Sequence, residues 1–261
     1  MSEVSAGGAP GVSAAEVARF NALASRWWDR RGPMRPLHAM NPARIGWILS
    51  HTARRFAAAE GVRLLDVGCG AGLAAEALAR RGFDVLGIDA AEDVIEAARL
   101  HAAQAGGGIG EGTAGAAADG PVSRNAWPVP AYRVATAEDL LAEGRRFQVI
   151  TALEVIEHVP DPTAFVRVLV ALLEPCGLLF LSTLNRTRRS FLVAKLGAEY
   201  VLRLLPIGTH DWRQFITPPE LAGLLRDAGA RVIDTAGLSP GLNGWHATRD
   251  LAVNYLLAAE V

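Results

Sequence analysis

Three ionisable side chains, Glu154, Glu157 and His158, follow the apolar run ITAL and precede two prolines in ITALEVIEHVPDP, residues 150–162. Their i, i+3, i+4 spacing projects all three to one side if residues 154–159 form a helical turn. Two carboxylates and an imidazole with open positions suit a hard or borderline divalent cation. Alternatively His158 acts alone as a general base, because imidazole titrates near neutral pH. A third reading is structural, with Glu154 lining a pocket while Glu157 and His158 hydrogen-bond the turn.

A second constellation lies upstream. LLDVGCGAG, residues 64–72, reads as a strand, a glycine turn and the start of a helix. Gly68 and Gly70 permit backbone conformations and close approaches that a Cβ would block. The spacing is G-x-G-x-G, and Leu73 stands where a dinucleotide fingerprint needs its third glycine. No Lys-Ser/Thr pair follows, which excludes a P-loop. Asp66 precedes the turn, and Asp89 ends the next strand, where a carboxylate can accept both hydroxyls of a ribose. The layout suits a nucleoside without a pyrophosphate, hence S-adenosylmethionine rather than NAD. Leu153, last in its strand, is either a neighbour of the adenine or methionine portion or a plain core leucine.

The elements that must position these groups follow from periodicity. Short β runs at 63–69, 84–89, 132–136, 147–153 and 177–183 alternate with helical patterns at 72–82, 90–104 and 162–175. Such alternation predicts an α/β, Rossmann-like fold, a mostly parallel sheet with helices on both faces. The ligand crevice then lies beyond the carboxyl ends of the strands, which puts Glu154 at the same rim as Gly68 and Asp89. Helical patterns at about 14–30 and 42–59 precede the sheet and predict an N-terminal helical cap. The expected organisation is a disordered tail at 1–15, the cap at 16–60, and the catalytic-type domain at 61–261.

Composition narrows the class. With 261 residues, 51% of them hydrophobic, the chain can build one sizeable domain. A net charge of −1 gives no global electrostatic case for nucleic acid. The two cysteines, Cys69 and Cys176, are far apart, against a zinc or disulfide framework and for a reducing compartment. The first fifteen residues lack the basic start and apolar core of a signal peptide. No apolar run reaches the ~18–20 residues of a membrane span. A cytoplasmic protein, soluble or peripheral at the inner membrane, is expected.

Two insertions interrupt the alternation. Residues 105–130 are rich in Gly, Ala and Pro and read as a surface loop expansion. Residues 186–216 contain RTRRSFLVAKLGAEYVLRLLPIG, 186–208, in which Lys195, Glu199 and Arg203 share one helix face and apolar side chains cover much of the rest. That pattern fits an amphipathic helix at a membrane lipid interface. It also fits a helix packed on the chain's own core or on a second subunit.

Together with the glycine turn, several rarer stretches carry a resemblance. FNALASRWWD (20–29), PLHAMNPARIGWI (36–48), EVIEHVPDP (154–162), STLNRT (182–187), GAEYVLRLLPIGTHDW (197–212) and VNYLLAAE (253–260) are spread over nearly the whole chain. The sequence thereby resembles the ubiquinone-biosynthesis O-methyltransferase family, among the class I S-adenosylmethionine-dependent methyltransferases. Ala71 replaces a glycine of that family's turn, and the 105–130 insertion is unusual for it. The resemblance implies a seven-stranded sheet and methylation of ring hydroxyls on polyprenylated phenols or catechols. It implies the 2-polyprenyl-6-hydroxyphenol and 3-demethylubiquinol steps, with other quinone-biosynthesis enzymes as candidate partners. It also implies Mg2+ as the cation of Glu154, Glu157 and His158. Arg44, in NPAR, is assigned to the cofactor's carboxylate, which a guanidinium fork matches through two parallel hydrogen bonds. Trp27 and Trp28 either stack over a ligand ring or anchor the cap, and burial favours anchoring for at least one. His210 and Asp211 receive no role. Two other readings stay open: a methyltransferase of small soluble catechols, and a non-catalytic, lipid-binding scaffold.

Overall fold

A computed structural model describes residues 13–105, 128–191 and 214–261. Residues 1–12 of the tail, nearly all of the Gly/Ala-rich insertion, the Lys195–Glu199–Arg203 face and the pair His210 and Asp211 lie outside the described residues, whereas Ala14 and Ala15, expected in the tail, are helical. Helices α1 (Ala14–Asn21) and α2 (Arg35–Arg55), separated by a 3-10 turn at Ala24–Arg26, precede the first strand. Then follow β1 (Arg63–Val67), α3 (Leu73–Ala79), β2 (Asp84–Asp89), α4 (Glu92–Ala105), β3 (Ala131–Val134), α5 (Ala137–Ala142) and β4 (Phe147–Leu153). A 3-10 turn at Ile156–His158 leads into α6 (Pro162–Ala171) and β5 (Leu173–Leu184). The last elements are α7 (Pro218–Asp227), β6 (Arg231–Gly241), β7 (Gly244–Thr248) and β8 (Asn254–Glu260).

Among the described residues the strands form one sheet in the order β3-β2-β1-β4-β5-β8-β6-β7. The first five are parallel neighbours, and β8 lies antiparallel to both β5 and β6. The α/β architecture is therefore as expected, with eight strands instead of seven. The additional strand is β7, which folds back on β6 through Leu242 and Asn243, with Gly241 facing Gly244. Sequence order reverses between β1 and β4, and such a switch point opens a crevice at the strand ends.

Both sheet faces are covered, which is why the strands read as near-continuous apolar runs. Because side chains alternate, Leu64 points into one core and Leu65 into the other. Leu64, Val85, Val149, Phe180 and Leu256 pack with α2, α3 and α4, whereas Leu65, Ile88, Ile150, Leu179 and Leu257 pack with α5, α6 and α7. Ile45, Trp47 and Ile48 of α2 belong to the first core, so this helix covers the sheet itself.

Element ends differ from the sequence reading for local reasons. The helix expected at 42–59 spans 35–55, with Pro36 in its first turn, where a missing N–H costs nothing, and Pro42 inside. The pattern at 14–30 breaks into α1 and a 3-10 turn. Helix α6, capped by Asp161 Oδ1 accepting from Thr163 and Ala164 N–H, ends at Ala171 rather than 175. The chain turns there because Leu173 already pairs with Phe147, across a register shift before Val149.

Candidate active site

The glycine turn after β1 is held by its neighbours. Gly68 and Gly70 have φ of 64° and 54°, the left-handed region that side chains disfavour. A Cβ on Gly68 would meet Val155 Cγ2 at 2.5 Å, and one on Gly70 would meet Trp27 Cζ2 at 2.2 Å. Asp89, at the end of β2, accepts from Gly70 N–H at 3.1 Å and from Ala91 N–H at 2.9 Å. Its carboxylate thus fixes the turn as well as facing the cavity. Burial raises its pKa, and the backbone N–H groups offset part of that.

Asp66 is buried at the end of β1. The parallel register places it beside Thr151 of β4, whose Oγ1 donates to Asp66 Oδ1 at 2.6 Å. Its second oxygen, Oδ2, has no hydrogen-bond partner. Burial pushes the Asp66 carboxyl up to about 6, against the pull of Thr151 and Arg44. Arg44 reaches the same place from α2 and is only 3% exposed. Its Nη2 lies 3.4 Å from Asn41 Oδ1, its Nη1 3.9 Å from Glu154 Oε1, and its Nε is unpartnered. Burial lowers its pKa, while Glu154 and Asp66 favour its charge. A buried guanidinium so loosely paired costs stability unless an anion joins it.

The EVIEH turn begins at the end of β4. Glu154 sits at φ 58°, a left-handed conformation rare outside glycine, and strain of this kind concentrates at functional sites. Leu153 opposes Ser182 of β5, and Ser182 Oγ donates to Glu154 Oε1 at 2.8 Å. Glu157 is buried and accepts from Thr183 Oγ1 at 2.9 Å. Burial and the charge of Glu154 push its carboxyl up to about 7. His158 turns to α1, where its Nδ1 lies 3.1 Å from Glu16 Oε2 and its ring meets Phe20 edge-on at 5.5 Å. Burial pulls its pKa down, but the bond to Glu16 and the charges of Glu157 and Glu16 outweigh this, so the net shift is upward.

These groups line one cavity of about 440 Å3. Arg44, Asp66, Gly68, Asp89 and Leu153 line it together with Glu154, Glu157 and His158. Gly70 does not line it; it shapes the turn and carries Trp27. Phe20, Leu23, Leu37 and Met40 of the N-terminal segment supply apolar wall.

Residues 154–159 are not one helical turn, because Glu154 is left-handed and the 3-10 turn starts at Ile156. The donor types suit a divalent cation, but Glu154 turns to Ser182 and Arg44, Glu157 to Thr183, and His158 to Glu16. Among the described residues, no group of three or more His, Cys, Asp or Glu is arranged to hold a metal ion. As they stand, the three do not converge on one point, as a shared cation would require. The sequence reading also missed Glu16, Phe20, Thr151, Ser182 and Thr183. Register could have offered the last three, since Thr151 pairs with Asp66 across β4 and β1, and Ser182 and Thr183 lie on β5 beside the β4 end. Nothing in the sequence marks Glu16 as a neighbour of His158.

Comparison with known proteins agrees with this architecture. The family described as a methyltransferase domain matches residues 41–235. Ubiquinone biosynthesis O-methyltransferase of Methylobacterium nodulans is 45% identical, with 96% of each chain aligned. The protein of that name from Cereibacter sphaeroides is 44% identical, over 95% of this chain and 96% of its own. Among solved structures, magnesium protoporphyrin IX methyltransferase of Synechocystis, with bound SAH, superposes with a TM-score of 0.61. It covers 94% of this chain and 98% of its own at 16% identity, a likeness of fold alone.

Proposed function

The chain belongs to the ubiquinone biosynthesis O-methyltransferase family, and on that premise we propose that it methylates ring hydroxyls of polyprenylated phenols and catechols, using S-adenosylmethionine. The substrates are those of the 2-polyprenyl-6-hydroxyphenol and 3-demethylubiquinol steps. One observation carries the reading. A single cavity joins a buried, under-paired Arg44 and Asp66 to the His158–Glu16 pair, with apolar walls from the N-terminal segment.

Bound there, S-adenosylmethionine supplies a methyl group on an electron-poor sulfur. Arg44 presents its fork to the cofactor's carboxylate, and Asp66 Oδ2 accepts from its ammonium. The glycine turn lets the backbone approach, Asp89 accepts from the ribose hydroxyls, and Leu153 packs beside the ligand. A phenol titrates near ~10, so at neutral pH its reactive anion is scarce. His158 would take the hydroxyl proton as the new O–CH3 bond formed and the sulfonium S–CH3 bond broke, leaving a neutral thioether, and Glu16 would steady the resulting imidazolium. Turnover on polyprenylated and short-chain catechols tests the proposal. Equal kcat/KM on both favours the soluble-catechol reading. No calorimetric binding of S-adenosylmethionine would leave only the scaffold.

A second reading, Mg2+ on Glu154, Glu157 and His158, is favoured by one observation: burial, and next the Glu154 charge, push Glu157 toward protonation, and a cation beside the two carboxylates would offset both. It requires His158 to leave Glu16. Turnover that survives exhaustive chelation, with Glu157→Gln still active, removes it. Peripheral attachment to the inner membrane is proposed for 186–208, of which only residues up to Phe191 are described. Phe191 is exposed, and among the described residues no helix is long and apolar enough to cross a membrane. Liposome flotation of a 188–204 deletion decides this, and unchanged association of a folded protein would end the idea.

A further inference from the structure

Trp28, His101 and Glu76 are buried or half-buried side chains that do not line the cavity, and the proposed chemistry does not use them. Glu76, on α3, is fully buried and charged by type. It accepts from His101 Nδ1 at 2.6 Å and from Arg80 Nη2 at 2.8 Å. A buried carboxylate is costly unless it is paired, and the partly exposed Arg80 and His101 supply its partners. His101, on α4, lies flat on the Trp28 indole, with ring centroids 3.4 Å apart and planes within 3°. Trp28 Nε1–H in turn donates to Ala71 O at 3.0 Å, inside the glycine turn.

The contacts therefore form a closed circuit. It leaves the turn-and-helix unit at Glu76, crosses α4 and the segment between α1 and α2, and returns to the same unit at Ala71. Two adjacent contacts act in parallel. Trp27 packs against Gly70, and Asn41 Nδ2 donates to Leu73 O at 2.9 Å. The three residues of the turn thus fastened, Gly70, Ala71 and Leu73, are each gripped by a side chain of the N-terminal segment.

We propose that Trp28, His101 and Glu76 are positioning residues for the cofactor turn, a stacked latch that holds it in its binding shape and seals the N-terminal segment onto it. The imidazole does two things at once. Its ring fixes the plane of the indole, and so aims Nε1 at Ala71 O, while its Nδ1 ties that plane to α3. The latch acts on cofactor affinity and leaves the methyl-transfer step alone, because it touches the turn and not the groups around the acceptor. This inference rests on the reading of the cavity as an S-adenosylmethionine site.

The test is calorimetric titration of the full-length protein with S-adenosylmethionine, beside steady-state kinetics, tryptophan emission and ligand-free melting. His101→Ala, which loses stack and ion pair together, should bind about tenfold more weakly, as the loss of one aromatic contact and one hydrogen bond implies. Its kcat at saturating cofactor should stay within about twofold, since the interaction lost is uniform binding. Emission should rise on removal of the stacked imidazole, and the rise should be absent when Trp28→Phe is already present. His101→Phe, which keeps the stack, should recover affinity to within about threefold, and Trp28→Phe, which loses the bond to Ala71 O, should bind about fivefold more weakly. Wild-type affinity in both His101→Ala and Trp28→Phe would overturn the latch alone. So would a loss of kcat that tracks a lower melting temperature. Failure of the wild-type protein to bind would overturn the functional reading and the latch with it.

Discussion

The cofactor edge and the acceptor edge share one sheet rim but are fixed by different means. At the cofactor edge, Asp66 is held by Thr151 in the neighbouring strand and Asp89 by two backbone N–H groups. Those partners are set by strand register and turn geometry, which the sheet imposes. At the acceptor edge, His158 is held by Glu16 and Phe20, two side chains of an eight-residue helix outside the sheet. Arg44, delivered by α2 and proposed to hold the cofactor, lies between the two, with Nη1 3.9 Å from Glu154 Oε1. One edge is thus set by strand register and turn contacts, braced by Trp27, Trp28 and Asn41, and the other by side chains of α1 alone. Their sensitivity to substitution should differ accordingly.

The largest effect is expected at the cofactor edge. Gly70→Ala places a methyl 2.2 Å from the Trp27 ring at a left-handed φ, so either the turn or the indole must move. Binding of S-adenosylmethionine, read by calorimetry, should weaken by about a hundredfold or more, since misplacement of order 1 Å can cost that much. Arg44→Leu comes next, with cofactor KM raised about tenfold to a hundredfold, the range of a lost charge-assisted hydrogen bond. Arg44→Lys should recover little, because an ammonium cannot reproduce the fork.

A pH titration sharpens the comparison. Asp66 has its carboxyl raised to about 6, so it gains a proton as pH falls through that value. Ligand affinity that depends on its charge should therefore fall below about pH 6 and level off above it. Asp66→Asn should bind weakly and lose this pH dependence. At the acceptor edge, Glu16→Gln removes the group that raises the His158 pKa. The rising limb of kcat/KM should move to lower pH, with kcat reduced about tenfold, less than the roughly hundredfold or more that loss of the base itself would cost. Its S-adenosylmethionine affinity should stay at the wild-type value. A matching loss of affinity would break the division between the two edges. Phe20→Leu should be mildest, about twofold to fivefold in kcat, for one edge-to-face contact of ~0.5–1 kcal/mol.

Much of the cofactor edge was legible in the sequence because it is local. Asp66, Gly68 and Gly70 lie within five consecutive residues, and the strand pattern alone carries Asp89 to the same rim. The EVIEH turn was legible as functional but not in its geometry. Side-chain spacing implied convergence, whereas the left-handed Glu154 sends neighbouring groups to separate partners. The three antiparallel strands β6, β7 and β8 were not marked by the strand–helix alternation, and GWHAT of β7 is also short and mostly exposed.

Hydrophobic periodicity and glycine spacing thus determined the α/β class, the alternation of strands with helices and the place of the crevice, since all three follow from constraints within a few residues. Pairings between distant segments were settled only by the tertiary structure: Glu16 with His158, Thr151 with Asp66, Arg44 with the β4 end, and Trp28 with Ala71 and His101. The physical reason is that a side chain's neighbour across the core depends on helix docking and strand register. Both are fixed by the packing of the whole chain, and no short stretch of sequence encodes them.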